Sequence, residues 1–195
     1  TSTDDQPEYR TYTDSSNSFG SETNMTTTFT DTQDAKTFKI KTSPTKQEAI
    51  AGYVDNGGTL RILCFDGTTW SSEWTATVGG NGTNAQRFGI AYETQSGEAL
   101  VIYSRNVATT NELAYRTKTN SNCGSGWSGE IPFDPVTTSG IVHWIRMEGS
   151  PVSSSNNIAV AWADSASDLS AMIWTGAGFT IGEPSSALET QLERV

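Results

Sequence analysis

The residues able to do chemistry in this chain are few. His143 is its single histidine. It lies beside Trp144, with no second histidine and no Ser-Asp or Cys pattern around it. A general base or a zinc ligand needs such partners within reach, so His143 reads as a strand histidine. Cys64 and Cys123 are the two cysteines. In an oxidising compartment they can form one disulfide between neighbouring stretches of chain; the other reading is a buried thiol at Cys64 and an exposed one at Cys123. Asp164 and Asp168 offer oxygen ligands of the calcium type. No EF-hand or nonapeptide pattern surrounds them, and an ordinary polar turn is expected there.

Four aromatic residues recur with an acid close behind: Phe19 with Glu22, Trp70 with Glu73, Trp127 with Glu130, and Phe179 with Glu183. A ring at such a position, Trp70 and Trp127 above all, can stack on the apolar face of a sugar, or it can fill the wedge between two packed sheets. Carboxylates in pairs serve glycoside hydrolysis. One acid per recurrence is also what charge protection of an exposed strand edge gives, and that is the reading taken. Arg10, Arg61 and Arg116 fall at near-equivalent positions and are read as a solvated strand face. Asn24-Met25-Thr26 and Asn81-Gly82-Thr83 are glycosylation sequons in expected connections. No catalytic set, cofactor or metal site is assigned.

Positioning these residues requires elements, and the elements read as strands. The apolar runs are short and rich in Val, Ile, Tyr, Phe and Trp, with Gly, Asn, Asp and Ser clusters between them. Examples are 49–54, 60–65, 88–92, 99–103, 141–147, 158–162 and 169–174. Asp55-Asn56-Gly57-Gly58 and Gln95-Ser96-Gly97 read as tight hairpin turns. The chain is expected to be all-β.

The composition narrows the function classes. The chain has 195 residues, 12 basic against 22 acidic, and a formal charge of −10. Phosphate binding needs clustered Lys and Arg, so nucleic acid is excluded as a partner; the same balance disfavours anionic membrane surfaces. No apolar run approaches the roughly 20 residues of a membrane span, and no signal peptide is seen. Charged residues are only 17%, and Ser with Thr make up about a quarter, well above ordinary usage. A polar, extracellular or cell-surface chain is expected.

The aromatics at 19, 70, 127 and 179 stand 51, 57 and 52 residues apart. Upstream, Tyr9-Arg10-Thr11 returns as Tyr115-Arg116-Thr117, and Ser43-Pro44 with Ala49-Ile50-Ala51 returns as Ser150-Pro151 with Asn157-Ile158-Ala159. Four short strands in such a unit make a propeller blade, so a β-propeller-like array of four-stranded antiparallel blades is expected, with about 3.5 to 4 repeats of roughly 54 residues. One domain spans 1–195, with a half blade at 8–28 and blades at 36–79, 87–134 and 141–188. Two paired repeats would be about two strands longer than this chain.

The stretches 88–92, 96–103, 112–117 with Trp127-Ser128, and 65–70 resemble the tandem β-propeller repeats of bacterial and archaeal surface proteins, a group that includes sialidase-like and lectin-like propellers. Asp66-Gly67-Thr68-Thr69-Trp70 is similar to the Asp-box turn of sialidases but has one residue fewer between Asp and Gly. The resemblance implies architecture more than activity. Two expectations follow. One is a secreted, pilus-like filament subunit that pairs strands with copies of itself through Thr1–Thr28 and Leu188–Val195. The other is a cell-surface lectin or adhesin, binding glycans at Trp70 and Trp127. An enzyme of sialidase type is not expected.

Overall fold

The computed structural model describes residues 7–25, 34–79, 85–134 and 140–180. They form antiparallel strands that follow one another in chain order. Residues 7–25 make a hairpin with broken arms. In it, β1 (Glu8–Tyr9) pairs with β4 (Thr23–Asn24), and β2 (Tyr12–Thr13) pairs with β3 (Ser18–Phe19). A short 3-10 turn at Asp14–Ser16 and a left-handed Asn17 reverse the chain between them.

The first sheet runs β5 (Ala35–Thr42), β6 (Ala49–Asp55), β7 (Thr59–Phe65) and β8 (Trp70–Thr77), each strand bonded to the next. The second repeats this with β9 (Phe88–Tyr92), β10 (Ala99–Ser104), β11 (Leu113–Lys118) and β12 (Ile131–Phe133). The third has β13 (Val142–Gly149), β14 (Ile158–Asp164) and β15 (Leu169–Trp174), and a further bridge joins Trp174 to Phe179. The turns marked by glycine in the sequence link β6 to β7 and β9 to β10. Gly58 and Gly97 take φ of 83° and 73° there, which only glycine adopts without cost.

The second strands explain why their sequences are apolar without alternation. Every residue of β6 and of β10 is buried, because each lies in a sheet covered on both faces. Ile50, Leu60 and Ile62 of the first sheet pack on Phe88, Ile90 and Tyr103 of the second. From the opposite face of the second sheet, Leu100, Ile102 and Leu113 pack on Ile145, Val160 and Trp162 of the third. Ala51, Tyr53 and Leu63, on the other face of the first sheet, pack on Met25 with Tyr9 and Trp70. The core is thus a series of wedges between successive sheets.

The first strands of the sheets converge. Gln86 bridges Trp144 in parallel, just ahead of β9. Lys39 on β5 donates to the carbonyl of Phe88 on β9 (2.6 Å) and to that of Ile145 on β13 (2.8 Å). One ammonium group therefore ties three sheets together. All-β, four-stranded antiparallel sheets packed face to face with their first strands side by side define a propeller-type fold.

Two expected positions differ. Trp127 is not within a strand; it makes an isolated bridge to Lys118, and the last strand of that sheet follows at Ile131–Phe133. Three glycines in 124–129 and the cysteine turn leave no room for regular pairing before Ile131. Asn24 lies within β4, opposite Glu8, and not in a connection. Asn81, Glu183 and the segment Leu188–Val195 lie outside the described residues. Among the described residues no helix is long and apolar enough to cross a membrane.

Candidate functional site

The boundary between the first and second sheets gathers charged and aromatic side chains. It begins with an irregularity in β8. The β7–β8 register runs Ile62 opposite Trp74 and then Leu63 opposite Ser72, so Glu73 is the extra residue of a β-bulge. A bulge re-aims a side chain out of the pleat. Here the Glu73 carboxylate faces the second sheet, where it accepts from Trp127 Nε1 at 2.7 Å and from the Gly124 N–H at 2.8 Å. Glu73 is therefore a link between sheets. The expectation of a solvated edge acid is corrected by a bulge, which the repeat pattern does not show.

Around this link the rings close up. Trp74 meets Trp127 edge-on at 5.4 Å and Tyr103 at 5.6 Å. Arg116 lies over the Trp74 ring, 4.7 Å from its centroid, a favourable cation–π placement. Tyr103 donates to Glu130 Oε2 at 2.8 Å, and Arg105 pairs with the other oxygen of Glu130 at 3.3 Å. Burial pushes the Tyr103 hydroxyl up to about 12, with the Glu130 carboxylate adding to the rise. The Nε atoms of Arg116 and Trp74's indole are buried with no hydrogen-bond partner.

The turn that presents Trp127 is pinned to the first sheet. Cys64 on β7 and Cys123 are joined by a disulfide, with Cα atoms 5.6 Å apart. Beneath it, buried Lys118 donates to Glu48 Oε2 (3.1 Å) and to the Ser121 carbonyl, and Tyr92 donates to Glu48 Oε1 at 3.1 Å. Burial lowers the Lys118 pKa, and the Glu48 carboxylate opposes that shift. Glu48 also lies near both cysteine sulfurs, but sulfurs joined in a disulfide are not thiolate ligands for a metal.

The other two boundaries vary the same theme. Between the hairpin and the first sheet, Trp70 meets Tyr9 edge-on at 6.4 Å and Phe65 at 5.2 Å. Arg10 pairs with Glu22 at 2.6 Å. Glu22 is held below the usual carboxylate range by a hydrogen bond with Glu8 and by Arg10. Between the second and third sheets, Phe179 stacks on Phe133 at 4.8 Å and meets Tyr115 at 5.4 Å. That boundary is filled by rings, and Trp174 Nε1 is spent on Glu93 at 2.7 Å.

The remaining sequence candidates have structural roles. Of the three arginines expected on a solvated face, only Arg10 is well exposed. Arg61 pairs with the buried Asp55 at 3.2 Å, and Arg116 covers Trp74. Asp164 Oδ1 accepts from the amides of Ala166 and Asp168, closing the turn before β15. Asp66, in the turn like the Asp box, accepts from the amides of Thr68 and Thr69 at 2.8 Å each, and these bonds hold its carboxyl below its usual range. His143 is half-buried on β13, and its carbonyl accepts from the Gln86 amide.

No protein-family model matches the chain, and no curated protein is similar to it in sequence. Solved structures do resemble it. AofleA from Arthrobotrys oligospora aligns with a TM-score of 0.56 at 9% identity, over 89% of this chain and 48% of that one. The K499G mutant of the NanB sialidase from Streptococcus pneumoniae aligns with 0.53 at 13% identity, over 81% and 24%. The fucose-specific lectin from Aleuria aurantia aligns with 0.49 at 12% identity, over 87% and 50%. The chain spans about half the length of AofleA and of the Aleuria aurantia lectin, and about a quarter of the sialidase. At this identity the likeness concerns the fold, which is that of a β-propeller.

Proposed function

We propose that this chain is a carbohydrate-binding β-propeller module of the cell surface, with its main site at the boundary between the first and second sheets. The observation that carries the reading is the grouping at this boundary of the bulged Glu73, Trp127 and Arg116. Those three groups are what a sugar needs. A carboxylate accepts from hydroxyl groups, a guanidinium donates to them, and an indole offers an apolar face. The boundary at Trp70, with Arg10, Glu22 and Arg61 nearby in the repeat, is a second and weaker site. The boundary at Phe179 is filled by rings, with its Glu93 carboxylate bonded to Trp174 Nε1, and no binding is assigned to it. No reaction is proposed. A glycan array tests the reading: binding should be lost in Trp127→Ala and reduced in Trp70→Ala, and an array with no signal for the folded wild-type protein would refute it.

A second reading, the subunit of an extracellular pilus-like filament assembled head to tail, is favoured by one observation. The hairpin at 7–25 carries two exposed aromatic rings, Tyr12 and Phe19, and an exposed aromatic pair is a contact surface. Polymers in negative-stain images of the concentrated protein would support it, and discrete particles at every concentration would exclude it.

A further inference from the structure

The turn between β6 and β7, Asp55-Asn56-Gly57-Gly58, carries a reactive dipeptide. The side-chain carbonyl carbon of an asparagine lies one ring closure away from the backbone nitrogen of the next residue. Where that residue is glycine, no Cβ crowds the approach. Asn56 and Gly57 are both exposed. The amides around them are spent on the hairpin. Asn56 N–H donates to the Asp34 carbonyl at 2.9 Å, Gly58 N–H to the Asp55 carbonyl at 3.0 Å, and Thr59 N–H to Asp55 Oδ1 at 2.9 Å. The Gly57 N–H and the Asn56 carboxamide have no hydrogen-bond partner among the described residues. The attacking nitrogen and the carbon it attacks are therefore both unengaged.

Other asparagines are held. Asn17 Oδ1 accepts from the Tyr12 hydroxyl at 2.7 Å. Asn106 Oδ1 accepts from Arg87 at 2.7 Å, and the branched Val107 follows it. Asn120 Nδ2 donates to the Ser96 carbonyl at 2.9 Å, and the next amide, Ser121 N–H, is bonded to the Thr119 carbonyl at 2.6 Å. At Asn120 both reacting groups must first leave their partners.

We infer that Asn56 is a site of covalent self-modification, at which the folded chain converts its asparagine to aspartate and isoaspartate. The Gly57 nitrogen bonds to Asn56 Cγ and closes a five-membered succinimide. The carboxamide nitrogen leaves as ammonia, taking the proton that Gly57 gives up. Water then opens the ring at either carbonyl, and no atom is oxidised or reduced. Opening at one carbonyl gives aspartate; opening at the other routes the main chain through the side chain as isoaspartate. Both products place a new carboxylate beside Asp55, whose own carboxylate is buried and paired with Arg61. Isoaspartate also adds one carbon to the main chain inside the turn closed by the Gly58-to-Asp55 bond.

The test incubates the full chain near neutral pH in water enriched in oxygen-18, folded in buffer and unfolded in guanidinium chloride. Peptide mass spectrometry follows each asparagine, because oxygen-18 enters where a succinimide opens. The ratio of unfolded to folded rate separates the effect of structure from that of sequence. At Asn56 the folded chain should react nearly as fast as the unfolded one. At Asn120 folding should slow the reaction by about tenfold or more, since two hydrogen bonds have to open. Gly57 is not in the left-handed region, which falls to Gly58 in this turn, so Gly57→Ala suits the hairpin. It places a Cβ beside the attacking nitrogen and should slow conversion of Asn56 by about tenfold in both states. Protection of Asn56 in the folded chain as strong as that of Asn120 overturns the inference. So does an Asn56 that takes up no oxygen-18, or an unchanged rate in Gly57→Ala.

Discussion

Glu73 takes two hydrogen bonds from the neighbouring sheet, one from an indole and one from a backbone amide. Glu73→Gln keeps the size but replaces one acceptor oxygen with a donor that faces another N–H. We expect a loss of about 1–3 kcal/mol, the scale of bonds to a charged group, read as a lower urea midpoint. Lys39 gives a prediction in pH. Burial, helped by Arg146 and Lys41, lowers its pKa to about 8, against about 10.4 in an unfolded chain. Between those values the unfolded state holds more protons, so this group makes stability rise with pH there. Burial of Tyr103 acts the opposite way at higher pH, because the folded state keeps a proton that the unfolded state gives up. The difference between wild type and Lys39→Met isolates the lysine: urea midpoints should move in favour of wild type from pH 7.5 to pH 10 (about those values, bracketing the two pKa values). A pH-independent difference would contradict the assignment.

At the scale of elements, close approach of the sheets makes its own demands. A methyl group at Gly52 on β6 would lie 2.7 Å from the Phe88 ring and 2.8 Å from Ile62 Cδ1. Gly52→Ala should therefore cost about 1–3 kcal/mol by overpacking the first boundary, checked by thermal melting. The disulfide ties a strand of the first sheet to a turn of the second across a separation of 59 residues. Chain-entropy arguments give such a loop about 4 kcal/mol. The double variant Cys64→Ser with Cys123→Ser should melt lower by an amount of that order, and it should loosen the turn that presents Trp127. Much at this scale is legible in the sequence. Strand runs and glycine turns follow from apolar patterning, because both depend on residues close in the chain. The β8 bulge is not legible, since Trp70–Thr77 reads as a regular strand until its partner β7 is known. The roles of Glu73 and Arg116 were missed for that reason. A recurring Arg followed some dozen residues later by Glu (10 and 22, 61 and 73) is the signal that could have pointed to them.

For the whole molecule, the repeat of aromatic and acid anticipates a succession of like sheets, because packing each sheet on the next demands one large ring per boundary. It does not tell which boundary carries charge. That difference arises from single positions: where the second sheet has Arg116 on its third strand, the third sheet has Met172, and the rings close over the gap. Acidity disfavours nucleic acid without choosing among other partners, and the carbohydrate-binding reading rests on the boundary at Glu73, Trp127 and Arg116. The most direct measurement is a glycan array on folded wild-type protein beside Trp127→Ala, each checked by thermal melting. The account predicts binding to a defined glycan class by the wild type and its loss in the variant while the variant still melts cooperatively. No binding by the wild type, or binding that survives the loss of Trp127, would contradict it.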